Sequence, residues 1–502
     1  MLAAKWTQNA INCAIRYING ENIEKQIEQL VLVYDTFDNE NRRIINKIIE
    51  TNMEINDGIF IFSFLKNYIK SEDIWDGLIN LILQGKFEWK TAVMLEVQVR
   101  FHGKSDYSVF RKLHQKSLSC IEKDISCDYK WIPKKERNSK NLIIFTEQLG
   151  RLQHSPTHIV LEFYYILQEK LGYNVKVITC TSNMALPPQL WVYTQGFYGR
   201  KEKKFIYEYR GTKLSVYNYA INNTTNEEYC EMYKEIYDWK PYFCLNLGVT
   251  NPIADIPKKF TDIATLGMTI NCPVSEAQIL LREKKRSDKL EKEYSAELKA
   301  YQKQIFIEKS MPPIIIRDGI RLTREELGLP NDKFIIAIVG NRLDTEVDDT
   351  FINVIKNILY DNSNVVFAFI GKVKKIKKYL ENEAIDNRVF YMGYCENLIG
   401  VYAAIDLYLN PPRIGGGFSA AMALEAGIPV VTLPDCDVSY YTGEPFCVSG
   451  TEEMQYVINK YIEDNMFYLS QQKKIKDMIH ESVNDDIYDY VVSLVKKIEN
   501  LI

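Results

Sequence analysis

Between Asn410 and Leu433 the sequence reads NPPRIGGGFSAAMALEAGIPVVTL. The apolar run DLYLN, from Asp406 to Asn410, enters a loop that holds Gly415, Gly416 and Gly417. A helix-forming segment follows from Ser419 to Ala426, Gly427 and Pro429 stop it, and Val430 to Thr432 is again β-branched. The order is strand, glycine loop, helix, turn, strand. Glycine lets a backbone approach a ligand closely, and a helix start offers unpaired N–H groups at the positive end of its dipole. Together they make a site for a phosphate or diphosphate.

The same alternation runs through the preceding residues. FIIAIVGNRL opens a series of strand, helix TFINVIKNIL, strand NVVFAFIG, helix KKIKKYLENEA, strand RVFYMGY and short helix ENLIGVYAAI before the glycine loop is reached. Strands alternating with helices of this length predict a doubly wound sheet. An earlier series starts at NLIIF (Asn141 to Phe145) and passes through the loop TEQLGRLQHSPTH and the helix IVLEFYYILQEKLG to NVKVITC, a βαβ unit with a right-handed crossover. Leu190 to Tyr219 reads as hairpins, TNEEYCEMYKEIYDW as a helix, PYFCLNLG as a strand, and Ser275 to Gln304 as a charge-dense solvated helix. Residues 1 to about 128 carry apolar residues at helical spacing, and Tyr129 to Asn141 is polar, basic and linker-like. The expected α/β architecture is therefore a helical domain (1–138), a first Rossmann-like domain (139–316) and a second (317–484). The amphipathic tail 485–502 is expected to pack back on the first Rossmann-like domain.

Composition narrows the class. A chain of 502 residues exceeds one core, and 46% hydrophobic with 25% charged residues is ordinary for a soluble globular protein. A net charge of -4 gives no bulk attraction to nucleic acid. No apolar run is long enough to span a bilayer, no signal-peptide pattern opens the chain, and ten scattered cysteines without CxxC spacing read as reduced cytoplasmic thiols.

Candidate chemistry follows from position, because ligands of open α/β sheets bind beyond the carboxyl ends of the strands. His154 and His158 lie on the loop after the first strand, where a neutral imidazole can accept a proton from an acceptor hydroxyl or amide. Arg342 follows the first strand of the second series and Arg413 precedes the glycines; both are forked donors for phosphate. Tyr394, with Gly393 and Cys395, ends another strand where main-chain groups can meet a nucleobase edge. Asp435 and Asp437 form a D-x-D with no partner carboxylates in sight, so they read as turn residues and caps and no metal is expected.

Two Rossmann-like domains, a glycine-rich diphosphate loop in the second and a histidine after the first strand of the first resemble a GT-B glycosyltransferase. The fragment GGGFSAAMALEAGIPVVTL is similar to the donor-binding segment of the O-GlcNAc transferases and related bacterial protein glycosyltransferases, and LQHSPTHIVLEF resembles their His-Pro-Thr segment. The resemblance implies a UDP-sugar donor held by Gly415, Gly416, Gly417, Phe418, Ser419 and Arg342, with His154 near the reacting centre. It also implies a protein or glycan acceptor, with the helical domain available to hold it and an oligomer possible. Met422 stands where that group carries an acid for the ribose hydroxyls, and Glu425, one turn on, is the substitute on offer. Ile414 replaces the first glutamate of the Glu-x7-Glu pair of many retaining enzymes, and Thr345 stands where a lysine is expected. The missing pair and the available histidine favour inversion. Met422 also favours an alternative, a degenerate GT-B subunit that binds an active transferase or its acceptor. A sugar-nucleotide epimerase of similar fold would need paired acids that the sequence does not display.

Overall fold

The computed structural model describes residues 2–69, 71–102, 106–147, 149–150, 155–180, 202–307, 311–312, 320–380, 386–413, 415–482 and 487–502. Seven helices open the chain: α1 (Leu2–Ile18), α2 (Glu24–Asp35), α3 (Asn39–Asn52), α4 (Ile55–Lys66), α5 (Glu72–Gln84), α6 (Trp89–His102) and α7 (Tyr107–Asp124). Their caps are local: the Asp38 carboxylate accepts the Asn41 N–H at the start of α3.

The first sheet contains β1 (Asn138–Thr146), β2 (Asn174–Thr179), β3 (Lys204–Tyr209), β4 (Thr212–Asn218), β5 (Pro241–Leu247), β6 (Ile263–Leu266), β7 (Ile279–Arg282) and β8 (Lys303–Phe306). Their order is β3-β4-β2-β1-β5-β6-β7-β8. Among the described strands of this sheet only β3 runs antiparallel, in a hairpin with β4 that turns at Arg210 and Gly211, both at positive φ. Crossovers are α8 (Ser155–Tyr165), α9 (Asn226–Trp239), α10 (Pro252–Asp255) and α11 (Asp288–Ala296). A complete capping box, Thr225 with Glu228, starts α9.

The second sheet, all parallel, runs β11-β10-β9-β12-β13 with β9 (Phe334–Val339), β10 (Val365–Ile370), β11 (Val389–Gly393), β12 (Leu407–Leu409) and β13 (Val430–Val431). Its helices are α12 (Leu343–Glu346), α13 (Asp349–Asp361), α14 (Lys375–Leu380), α15 (Leu398–Tyr402), α16 (Gly417–Glu425), α17 (Asp437–Thr442), α18 (Thr451–Glu463) and α19 (Asn465–Ser482), and α20 (Ile487–Glu499) ends the chain.

Side-chain alternation explains the layers. Ile336 and Ile338 of β9 enter one core with α13 and α18, whereas Ile335 and Ala337 enter the other with α15 and α16. In the first sheet Leu142 and Ile144 point to α8 and α20, while Ile143 and Phe145 point to the seven-helix unit. The helical unit thus shares a continuous core with one sheet face. Helix α20 buries Tyr490, Val491, Leu494, Val495 and Ile498 on the opposite face.

Two sequence expectations change. Tyr129 to Asn141 is a packed strap rather than a linker: Tyr129 stacks on Tyr237 with centroids 4.7 Å apart, Ile132 N–H donates to Phe260 O at 3.0 Å, and buried Arg137 pairs with Asp262 at 2.6 Å. Ser275 to Gln304 is not one helix. It holds β7, then the nine-residue α11, and although most of its charges are exposed, Arg282 is turned inward, nearly buried against Glu291 at 2.6 Å. A buried arginine paired with a carboxylate looks, in sequence, like a solvated one.

Candidate functional site: the crevice at the carboxyl ends of β9 and β12

The second sheet begins at β9, adds β10 and β11 on one side, then returns to add β12 and β13 on the other. The order reverses between β9 and β12, and that crevice is the binding position of such sheets. The turn after β9 brings Arg342 to it, and the turn after β12 brings Gly415 to Gly417. The two meet: a Cβ on Gly415 would stand 3.1 Å from Arg342 Nη2.

The three glycines have different reasons. Gly416 adopts φ +102° as the N-cap of α16, and a Cβ there would also strike Arg413 Nη2 at 2.6 Å. A Cβ on Gly417 would meet the Tyr441 ring at 2.6 Å and Asp437 O at 2.9 Å. Only Gly415 faces a movable cation. Among the described residues no side chain caps α16. The Ser419 hydroxyl instead donates to Gly416 O at 2.8 Å and lies 3.0 Å from the Tyr408 hydroxyl. What α16 presents to a ligand is therefore its amides.

The two arginines separate. Arg342 is about two-fifths exposed and leans on Glu346, with Nη2 2.8 Å from the carboxylate. Arg413 is a brace, a correction to its reading as a phosphate donor: it is turned inward, donating to Asn410 Oδ1 (2.8 Å), Glu346 (3.0 Å), Val339 O (2.6 Å) and the Tyr408 hydroxyl (3.1 Å). Its donors tie β9, β12 and α12 together beneath the glycines. Burial would raise the Glu346 carboxyl, but Arg413 and Arg342 outweigh it and hold the group below its usual range.

Tyr394, just past β11, is 46% exposed on the same carboxyl edge. Phe418 packs against the first-lobe core and edge-on against Tyr441, which makes it an interlobe contact. Met422 is half-buried among apolar neighbours, and Glu425 is the last residue of α16, about 12 Å along the helix from Gly417.

The first lobe turns its own carboxyl edge toward this crevice. Ile270, beyond β6, donates its N–H to Asp437 at 3.1 Å, and Arg286 donates to Asp435 O at 2.9 Å. Tyr440 donates to Glu283, next after β7. The D-x-D pair thus joins the lobes. Burial pushes Asp437 up to about 7, opposed by the Ile270 amide, Arg286 and Arg342.

His154 lies outside the described residues, as does Ile414. His158 is buried in α8, packs edge-on against Tyr209 with centroids 6.1 Å apart, and has no hydrogen-bond partner among the described residues. Burial lowers its pKa and keeps it neutral. Tyr209 ends β3, three strands from β1, so His158 faces the hairpin rather than the β1–β5 crevice. Sequence reasoning missed Glu147, directly after β1, although an acid closing NLIIFT is a visible signal.

Two tandem Rossmann-like units with apposed carboxyl edges define the GT-B fold. A family described as Glycosyl transferases group 1 matches residues 333–463, which is the second of these units. Among solved structures the chain is similar to an O-GlcNAc transferase mutant of Thermobaculum terrenum, at 11% identity over all of this chain and 98% of that one, with a TM-score of 0.57. It is also similar to OtsA in its apo form, at 9% identity over 71% of this chain and 98% of that one, with a TM-score of 0.50. No curated protein matches the chain.

Proposed function

We propose that the protein is a glycosyltransferase that takes a sugar from a UDP-sugar and passes it to a protein or glycan acceptor, without a metal and with inversion. The observation that carries this reading is Arg342 set against Gly415 at the β9–β12 crevice, beside the uncapped start of α16. A guanidinium and helix amides converging on one point stabilise the charge that develops on a departing diphosphate. A guanidinium, that of Arg342, rather than a cluster of carboxylates faces that point, which is why the reading needs no cation. Tyr394 would approach the base, and cytoplasmic residence fits the ten free cysteines. His154 remains the acceptor-side histidine of this reading.

A thermal-shift panel of UDP-, GDP- and dTDP-sugars at millimolar concentration tests it. UDP-sugars should raise the melting temperature of the native chain and leave Gly416→Trp unmoved. Absence of a shift with every donor removes the assignment. Met422 favours the second reading, a GT-B subunit that stabilises a partner transferase, because a thioether offers ribose hydroxyls little. Donor binding without release of UDP would favour it.

A further inference from the structure

The first sheet has its own reversal, between β1 and β5, and the helical unit reaches into it. Glu147 leaves the carboxyl end of β1 only 5% exposed. Its oxygens accept the Val249 N–H at 2.7 Å and the Thr250 N–H at 3.4 Å, which fixes the carboxylate against the turn after β5. A Cβ on Gly248 would stand 3.2 Å from that carboxylate, so the fit is close. Helix α6 of the helical unit brings Arg100 to the same turn, where Nη1 donates to Val249 O at 2.6 Å. Arg100 is half-buried over the Phe110 ring, 5.8 Å from its centroid. Among the described residues its Nε and Nη2 have no hydrogen-bond partner, so the fork is only partly engaged. Asn246 stands in register with Phe145, two residues before Glu147, and shares its side of the sheet. It is fully buried, and neither amide atom has a partner among the described residues. A fixed carboxylate, a partly engaged guanidinium and an unsatisfied amide at a switch point are a hydrogen-bonding site in want of a small polar group.

We propose that Glu147 and Arg100 form the acceptor-side element of the transferase, with Glu147 the proton acceptor for the incoming hydroxyl and Arg100 the donor that orients it. This inference rests on the donor reading above. In the step, the hydroxyl oxygen forms the bond to the anomeric carbon as the bond from that carbon to the diphosphate oxygen breaks. The breaking pair leaves with the diphosphate, and the hydroxyl proton passes to Glu147 and then to solvent. A buried carboxylate suits the task because desolvation raises its proton affinity. The helical unit is then part of the acceptor site rather than an appended module.

The test uses the full chain with UDP-glucose and UDP-N-acetylglucosamine, and water as the simplest hydroxyl acceptor. Glu147→Gln keeps an oxygen for the Val249 amide, so the donor-induced melting shift should persist. UDP release should fall about 100-fold at unchanged donor KM, and the acid limb of its pH profile should vanish. Glu147→Asp should restore part of the rate, and Arg100→Lys should lose about 10-fold. Release from Glu147→Gln at the native rate, or loss of its donor shift, overturns the proposal. A native chain with neither shift nor release removes the donor reading, and this inference with it.

Discussion

Tyr440 of the second lobe donates its phenolic hydroxyl to Glu283 of the first. Tyr490 of α20 donates to the other Glu283 oxygen at 2.5 Å, so three separate parts of the chain meet at one partly buried carboxylate. Burial raises that carboxyl and the two phenols oppose it. Removing the carboxylate leaves both hydroxyls without their acceptor, at about 1–3 kcal/mol for each group left buried and unpaired. Glu283→Ala should therefore lower stability by about 2–4 kcal/mol, and Tyr440→Phe by about 1–2 kcal/mol, read from urea midpoints at constant slope.

Asp437 sets an expectation for pH. Its folded pKa of about 7 lies above the unfolded carboxyl value, so the native state holds the proton more tightly. The stabilisation is complete below the unfolded value, about 4, and is lost as pH climbs through 7. The groups facing the carboxyl are the Ile270 amide, Arg286, Arg342 and Glu283. Asp437→Asn removes the titration, so the native chain should lose more stability than the variant between pH 5 and pH 8. Equal losses in parallel urea melts would contradict this.

His114 joins the helical unit to the first lobe. It is fully buried between Glu96 and Asp255, with both ring nitrogens 2.7 Å from a carboxylate. Desolvation alone would lower its pKa, but the carboxylates prevail and raise it to about 9. Its stabilisation is thus present below pH 6.5 and lost as pH rises through 9. His114→Leu strands two buried carboxylates, which costs about 3–5 kcal/mol, and should expose the α7 face to proteolysis at neutral pH.

Much of this architecture was legible in the sequence because strand runs such as FIIAIV and NVVFAFI are apolar on both sides, as buried parallel strands must be. The hairpin at Gly211 and the glycine loop after β12 were legible for the same local reason. What was hidden depends on partners distant in sequence. Ile279–Arg282 is only four residues long and opens a charge-dense run, so nothing local marks it as a buried strand. Arg413 and Arg342 look alike in sequence, and only the three-dimensional positions of Glu346, Val339 and Tyr408 turn one inward. Arg100 meets Val249 across 149 residues.

The glycines allow a graded test of the donor site. Gly415→Ala meets only the end of Arg342, so it should fold with an unchanged melting temperature and weaken UDP binding about 10-fold by displacing that guanidinium. Gly417→Ala meets the Tyr441 ring and a carbonyl, and should lower stability by about 1–3 kcal/mol as an overpacked site. Calorimetric titration with UDP beside a thermal melt separates the two. Equal effects on binding and melting for Gly415→Ala would place the loop's role in folding alone.

Arg342 gives the sharpest of these measurements, because its two candidate roles fall on different quantities, stability and UDP affinity. If it serves only to balance Glu346, its removal leaves that carboxylate to Arg413 alone and lowers stability, most at pH values where the carboxylate is ionised. If it serves the diphosphate, the cost falls on binding. A charge-assisted hydrogen bond contributes about 1.5–3 kcal/mol, so Arg342→Ala should weaken UDP about 10- to 100-fold. A two-fifths exposed pair contributes about 1 kcal/mol or less to stability, so the melting temperature should scarcely move. Lysine keeps the charge but not the fork, so Arg342→Lys should recover only part of the affinity. Titration of UDP at two salt concentrations completes the argument: the native chain should lose more affinity with salt than Arg342→Ala, since only the native chain brings that cation to the phosphates.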